Sequence, residues 1–260
     1  MSICDMQVIS SRKNAVVSHM KKLGSDRAYR CEHNEFLCDG IRLLREAVSS
    51  NCVVTAVFVS SEKTAREFTV SAPVYVVPED IMKYVSPLKT AQEVIFSCAM
   101  PQRRELDISA RNIILDGVQD PGNVGTVLRG AVAFGIDSVV LVGACADPYN
   151  PKTVRATMGA VFRQNIVQTD YAELAEFVLQ GLKLNGAALD ERSKDVRSVG
   201  LADVSVAIGS EGAGLSDEVR ALCAQLVIIP MEPAAESLNA GVAANILMYL
   251  MYGGSENADA

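Results

Sequence analysis

IPMEPAAESLNAGVAANILMYLMYG, Ile229–Gly253, sets a polar loop between two apolar segments. A β-branched run, Leu226–Ile229, stops at Pro230. The loop carries Met231, Glu232, Ser237 and Asn239, and Val242–Met251 is then almost wholly apolar. A helix apolar on every side needs burial, in a core or against a partner. A polar loop clamped between a buried strand and a buried helix can hold a small ligand with backbone groups while excluding water. Two further loops, Asp116–Asn123 and Gly209–Leu215, have the same setting. We expect the three to act together on one ligand.

The chain has 260 residues, of which 49% are hydrophobic, enough for one or two domains with a sizeable core. No run of 18 apolar residues is present, so no membrane-spanning helix is expected. The start, MSICDMQVIS, lacks the basic and apolar regions of a secretory signal. The seven cysteines are odd in number, scattered, and form no CxxC pair, which suits reduced thiols in a cytoplasmic protein. Cys31, His33 and Cys38 lack a fourth ligand, so no metal is expected.

The net charge of −7 is unevenly spread. Residues 1–105 carry 14 Lys and Arg against 12 Asp and Glu, whereas residues 106–260 carry 10 against 19. Two readings stay open: ordinary surface variation, or a basic front end that meets phosphates on an acidic, soluble body.

Residues 11–23 read as a short basic helix ended by Gly24. Phe36–Cys38 reads as a strand, and Ile41–Ser50 as an amphipathic helix with Ile41, Leu44, Ala47 and Val48 inward. Strands follow at Val53–Val59, Val74–Val77 and Glu93–Ala99, with a helix at Glu79–Val85. Pro101–Glu105 reads as the linker. Beyond it, strands at Asn112–Leu115, Ser138–Val142, Asn165–Thr169, Gly186–Leu189, Val204–Ile208 and Leu226–Ile229 alternate with helices at Val124–Phe134, Lys152–Gly159, Tyr171–Leu182 and 241–252. Strands apolar throughout, alternating with helices, predict an α/β fold with a parallel sheet covered on both faces. The expected division is a front domain at 1–100, a linker at 101–108, a second domain at 109–254 and a disordered tail at 255–260. In such sheets ligands sit beyond the strand carboxyl ends. Asp116–Asn123, Asp190, Gly209–Leu215 and Pro230–Asn239 should therefore share one rim.

In the first loop, Asp-Pro-Gly is a turn sequence and Asn123 can cap the next helix. Arg129, inside an otherwise apolar helix, needs a partner, and a surface salt bridge would supply one. The second loop, GSEGAGL, places three glycines within six residues, so backbone can approach a ligand closely. Its order is GxxGxG rather than GxGxxG, and no GxxxxGK[ST] occurs, which disfavours a dinucleotide-dependent oxidoreductase and a phosphate-cradling nucleotidase. Glu211 could brace a second loop or accept a hydrogen bond from a substrate. In the third loop, Ser237 or Asn239 could cap the helix. Both histidines, His19 and His33, lie in the front domain, and no GxSxG is present, which disfavours a serine hydrolase.

Taken together, NIILDGVQDPGNVGTVLRGAVAFG, VAIGSEGAGLS and IIPMEPAAESLNAGVAANILMYL resemble the three motifs of the SpoU (TrmH-like) RNA 2′-O-ribose methyltransferases of the SPOUT superfamily, in order, spacing and placement over about 150 residues. DPYNPKTVRATMGAVFR, 147–163, resembles the family's segment between the first and second motifs. ISSRKNAVVSHMKKL, EFLCDG and TAVFVSS resemble the small RNA-binding domain often fused ahead of the catalytic one, although many relatives read closer to FLVEG at 36–40.

The resemblance implies a trefoil-knotted C-terminal α/β domain and a homodimer with the 241–252 helix at its interface. It implies S-adenosylmethionine as cofactor, lined by Leu189, Gly209, Gly212, Ile229, Met231 and Leu238, without a metal. It implies methyl transfer to a ribose hydroxyl in ribosomal RNA of the 23S type or in transfer RNA. Asn123, Arg129, Glu211, Ser237 and Asn239 match the family's catalytic positions. Arg129 would work across the dimer as a stabiliser of phosphate and alkoxide, because arginine resists deprotonation. The alternative is a non-catalytic RNA-binding or assembly protein that keeps the fold.

Overall fold

The computed structural model describes residues 6–88, 90–102, 104–232, 234 and 236–256. Two compact units result, one comprising Met1–Gln102 with Tyr149–Phe162, the other Arg103–Pro148 with Arg163–Ala260.

The first unit contains, in chain order, β1 (Gln7–Val8), α1 (Ala15–Ser25), α2 (Arg27–His33), β2 (Glu35–Asp39), α3 (Ile41–Ser49), β3 (Val54–Val59), α4 (Glu62–Ala65), β4 (Val74–Val76), α5 (Glu79–Val85) and β5 (Val94–Ala99). Its sheet has the order β1-β4-β3-β5-β2 and is mixed, with β5 antiparallel to both β3 and β2. Asn14 caps α1 through its side chain, so that helix begins later than the basic run suggests, and Gly24 lies inside it. Val17, Met20 and Leu23 of α1 pack with Leu37, Phe58, Ile81 and Ile95 in one core. In α3 the inward face is Leu43, Leu44 and Ala47, while Val48 is 42% exposed.

The second unit begins with β6 (Asn112–Asp116), α6 (Pro121–Ala133) and β7 (Ser138–Val142). The chain then supplies α7 (Pro151–Ala156), which packs within the first unit against β2, where Phe36 meets the Tyr149 and Phe162 rings. The second unit resumes with β8 (Asn165–Thr169), α8 (Tyr171–Leu179), β9 (Leu184–Ala187), β10 (Lys194–Asp195), β11 (Ser205–Gly209), α9 (Asp217–Leu222), β12 (Gln225–Ile228) and α10 (Ala240–Glu256). Its seven strands, in the order β10-β12-β9-β11-β6-β7-β8, pair in parallel throughout.

Leu174, Phe177, Val219 and Leu222 of α8 and α9 pack onto Ile114, Val140, Val142, Leu184 and Ala207. The alternate residues Ile113, Leu115, Val139, Leu141, Val206 and Ile208 are buried too. Burial on both faces is why these strands read as unbroken apolar runs. α10 packs on α6 and β11 and reaches past Gly253 to Glu256; positions 257–260 of the expected tail lie outside the described residues. α6 and α10 approach so closely at Gly130 that a Cβ there would strike Asn245 and Met248. No helix among the described residues is long and apolar enough to cross a membrane.

Candidate active site

The register Gly209↔Asp116, Ile208↔Ala187 and Val227↔Ala187 aligns the carboxyl ends of β6, β11, β9 and β12. The three loops therefore leave one edge of the sheet.

Asp120, not Asn123, caps α6: its side chain accepts a hydrogen bond from the Asn123 backbone N–H at 2.8 Å, and Pro121 occupies the first turn. Proline pre-sets the helical φ and has no N–H to satisfy, which fixes the start one residue after Asp120. Asn123 is thereby buried in the first turn with its side chain released from capping. That side-chain amide donates to the Glu211 carboxylate. The same Glu211 oxygen accepts from the Asn239 amide at 3.4 Å. Asn239 also caps α10, accepting from the Val242 N–H at 3.2 Å, so it is the helix cap of the two that sequence left open. One carboxylate thus ties the first and third loops to the second.

The second loop is a closed turn. Gly214 donates to the Ser210 carbonyl at 2.9 Å, and its φ of +70° suits glycine. A Cβ on Gly209 would overlap the Gly214 carbonyl, so the close crossing of backbone over backbone requires glycine there. Asp116, only 3% exposed, anchors the loop's end, accepting from the Ser216 N–H at 2.6 Å and from the Tyr171 hydroxyl at 3.1 Å. Burial, reinforced by the Asp116 carboxylate, pushes the Tyr171 phenol above its ordinary range, which keeps it a donor.

Between these loops lies a cavity of about 310 Å³, within the size range of small-molecule sites. Leu189, Gly209, Gly212, Ile229, Met231 and Leu238 all line it, as do Glu211 and Ser237. Asn123 and Asn239 reach it through Glu211. Ser237 is exposed and makes no hydrogen bond among the described residues, so it does not cap α10. Arg129 lies on the exposed side of α6, away from the cavity lining, and makes no ion pair among the described residues. The salt bridge that would have accounted for it is absent there. No three His, Cys, Asp or Glu side chains among the described residues are arranged to hold a metal ion.

Sequence reading gave no role to Asp116 or Arg220. Asp116 was legible only as a carboxylate ending an all-apolar strand. Arg220 lines the cavity but sits 30 residues from its partner Asp190, with nothing local to connect them.

A family model described as the SpoU rRNA Methylase family matches residues 110–249, and one described as an MRM3-like substrate binding domain matches residues 14–95. The 23S rRNA (guanosine(2553)-2'-O)-methyltransferase RlmP of Bacillus subtilis is 32% identical over 95% of this chain and 100% of its own. The 23S rRNA (uridine(2479)-2'-O)-methyltransferase of Streptomyces viridochromogenes is 31% identical over 93% of this chain and 90% of its own. Among solved structures, the SpoU methyltransferase AviRb from Streptomyces viridochromogenes in complex with the cofactor AdoMet superposes with a TM-score of 0.83 at 28% identity, over 94% of this chain and 99% of that one. With the three loops joined at Glu211 around a cavity at the strand carboxyl ends, and with the family model covering 140 residues that hold all of them, the chain belongs to the SpoU rRNA methylase family.

Proposed function

We propose that this chain transfers a methyl group from S-adenosylmethionine to a ribose 2′-hydroxyl of RNA, with 23S-type ribosomal RNA as the substrate and transfer RNA as the alternative one. The observation that carries the reading is the convergence of Asn123 and Asn239 on Glu211 at a cavity walled by Gly209, Ile229, Met231 and Leu238. The cavity fits the cofactor: apolar walls suit an adenosine, glycine backbone allows close approach, and Glu211 offers an anion to a cationic molecule.

When bound, the cofactor supplies an electrophilic methyl on a sulfonium. The protein's task is to hold the ribose and tolerate the charge that grows on its oxygen. Arg129 is the cation for that task, stabilising phosphate and developing alkoxide rather than removing the proton. Ser237 presents a free hydroxyl to orient the ribose. Asn123 and Asn239 keep Glu211, and with it the three loops, in register.

Arg129 does not line the cavity of its own chain, which supports a role in the site of a second copy. Val242, Tyr249 and Tyr252, 42–61% exposed, fall on one stripe of α10, and an apolar stripe of this kind supports a homodimer through that helix. The segment after β12 threads a knot in this reading, as the family resemblance implies, and its Ser237 and Leu238 line the same cavity as the Gly209 turn. Residues 1–100 serve as the RNA-binding domain, 101–108 as linker, 109–254 as the methyltransferase domain and 255–260 as tail, in a cytoplasmic protein. A non-catalytic role finds no support, because all five catalytic positions keep their residues.

The test is transfer of labelled methyl from S-adenosylmethionine to purified ribosomal and transfer RNA, with cofactor binding measured by calorimetry. Incorporation into ribosomal RNA is expected. Failure of both transfer and binding would overturn the proposal.

A further inference from the structure

We propose that Arg220 binds the α-carboxylate of S-adenosylmethionine; this rests on the cofactor reading above and adds to it the residue that recognises the amino-acid end. Arg220 lines the cavity and is 30% exposed at its side chain. Its Nη1 donates to Asp190 Oδ2 at 2.7 Å. The guanidinium makes no other hydrogen bond among the described residues. A guanidinium has five N–H donors in a planar fork, so most of this one is available to a ligand while Asp190 fixes its position.

The local charge is uneven. Asp190 also takes Arg192, through bonds of 3.0 Å from both Nε and Nη2. Hydrogen bonds from Arg192, with Arg220 nearby, hold the Asp190 carboxyl well below the usual range, so it is ionised. Asp190 is shared between the two guanidiniums, so it does not wholly neutralise Arg220. A second carboxylate would balance it.

Among the described residues the other charged member of the lining is Glu211, which already accepts from Asn123 and Asn239. S-adenosylmethionine carries a sulfonium, an ammonium and a carboxylate. Its carboxylate would be repelled at Glu211 and attracted at Arg220, where the fork can make two parallel N–H···O bonds. The two charged residues therefore fix which way the zwitterionic end lies.

The experiment is calorimetry of the full chain with S-adenosylmethionine and with decarboxylated S-adenosylmethionine, which lacks only that group. Arg220→Met is expected to weaken S-adenosylmethionine by about 10- to 100-fold, the range for a charged hydrogen bond. It should leave the decarboxylated ligand within about twofold, which also shows that the variant is folded. Arg220→Lys keeps charge but not the fork, and should give a smaller, equally selective loss; it carries the comparison if Arg220→Met unfolds. Equal loss for both ligands, or no loss for S-adenosylmethionine, overturns the assignment. Absence of binding by the unaltered protein to either ligand overturns the cofactor reading itself, and this inference with it.

Discussion

Replacing Gly209 with alanine adds a single methyl group where the chain crosses itself. The new Cβ would fall far inside contact distance of the Gly214 carbonyl carbon and oxygen and close to the Leu215 nitrogen. Ordinary contact between carbons is about 3.5–4 Å, so the Ser210–Leu215 turn must move by roughly 1.5–2 Å to clear it. The turn is held at both ends, by Gly214 to Ser210 at 2.9 Å and by Ser216 to Asp116 at 2.6 Å. Moving it breaks one of these bonds or distorts β11, and overpacking of this kind costs about 1–3 kcal/mol. The same turn walls the cavity, so the displacement should appear in cofactor affinity as well. Urea unfolding should show that loss of stability without a change in slope. Calorimetry should show S-adenosylmethionine binding weakened by at least about tenfold, equivalent to 1.4 kcal/mol. Wild-type affinity in a measurably destabilised variant would refute the placement of the cofactor against this turn. Wild-type stability as well would refute the crossing itself.

Asn123→Ala removes one of the two amides on Glu211 while leaving the cap at Asp120 intact; kcat should fall about 10- to 100-fold with cofactor affinity little changed, read by single-turnover methyl transfer and calorimetry. Burial, opposed by the Ser86 hydroxyl and by Arg155, raises Asp39 from 3.8 to about 6. The folded protein therefore binds the extra proton between those values, and stability falls as pH rises from about 4 to about 6. Asp39→Asn should flatten that slope and raise stability at pH 7 by about 1–3 kcal/mol, measured by urea unfolding across pH. Arg129→Ala and Glu211→Ala are each expected to be inactive, but if Arg129 serves the partner's site, mixing them should restore roughly a quarter of wild-type activity through heterodimers. Tyr249→Glu on the exposed stripe of α10 should yield monomers in sedimentation and abolish that recovery.

The sheet of the second unit was legible because each of its long strands is apolar on both faces, and the turn chemistry of DPGN and GSEGAGL marks the strand ends. The site residues were legible as three loops with one setting, but their connections were not. Asp120 and Asn123 are both competent caps three residues apart, and propensity alone does not choose between them. Pro121 does, and choosing Asp120 is what frees Asn123 for Glu211. The helix α2 was missed because RAYRCEH shows no clear apolar period; its buried residue is Arg30, which donates to the Leu23 carbonyl at 2.8 Å. The two-residue strands β1 and β10 are too short for any alternation to register. The segment from Tyr149 to Phe162 reads as one piece with the methyltransferase motifs, yet it packs with the first unit, because Tyr149 and Phe162 close over Phe36. Long-range pairing of this kind leaves no local signal.

The most direct test of ribose methylation is the chemical identity of the product. Large-subunit ribosomal RNA, incubated with S-adenosylmethionine and the protein, is digested to nucleosides and analysed by mass spectrometry, alongside Arg129→Ala. The expected product is a 2′-O-methylated nucleoside, reduced about 10²- to 10³-fold in Arg129→Ala while S-adenosylmethionine binding stays unchanged. A base-methylated nucleoside, or equal yields from the two proteins, would contradict it.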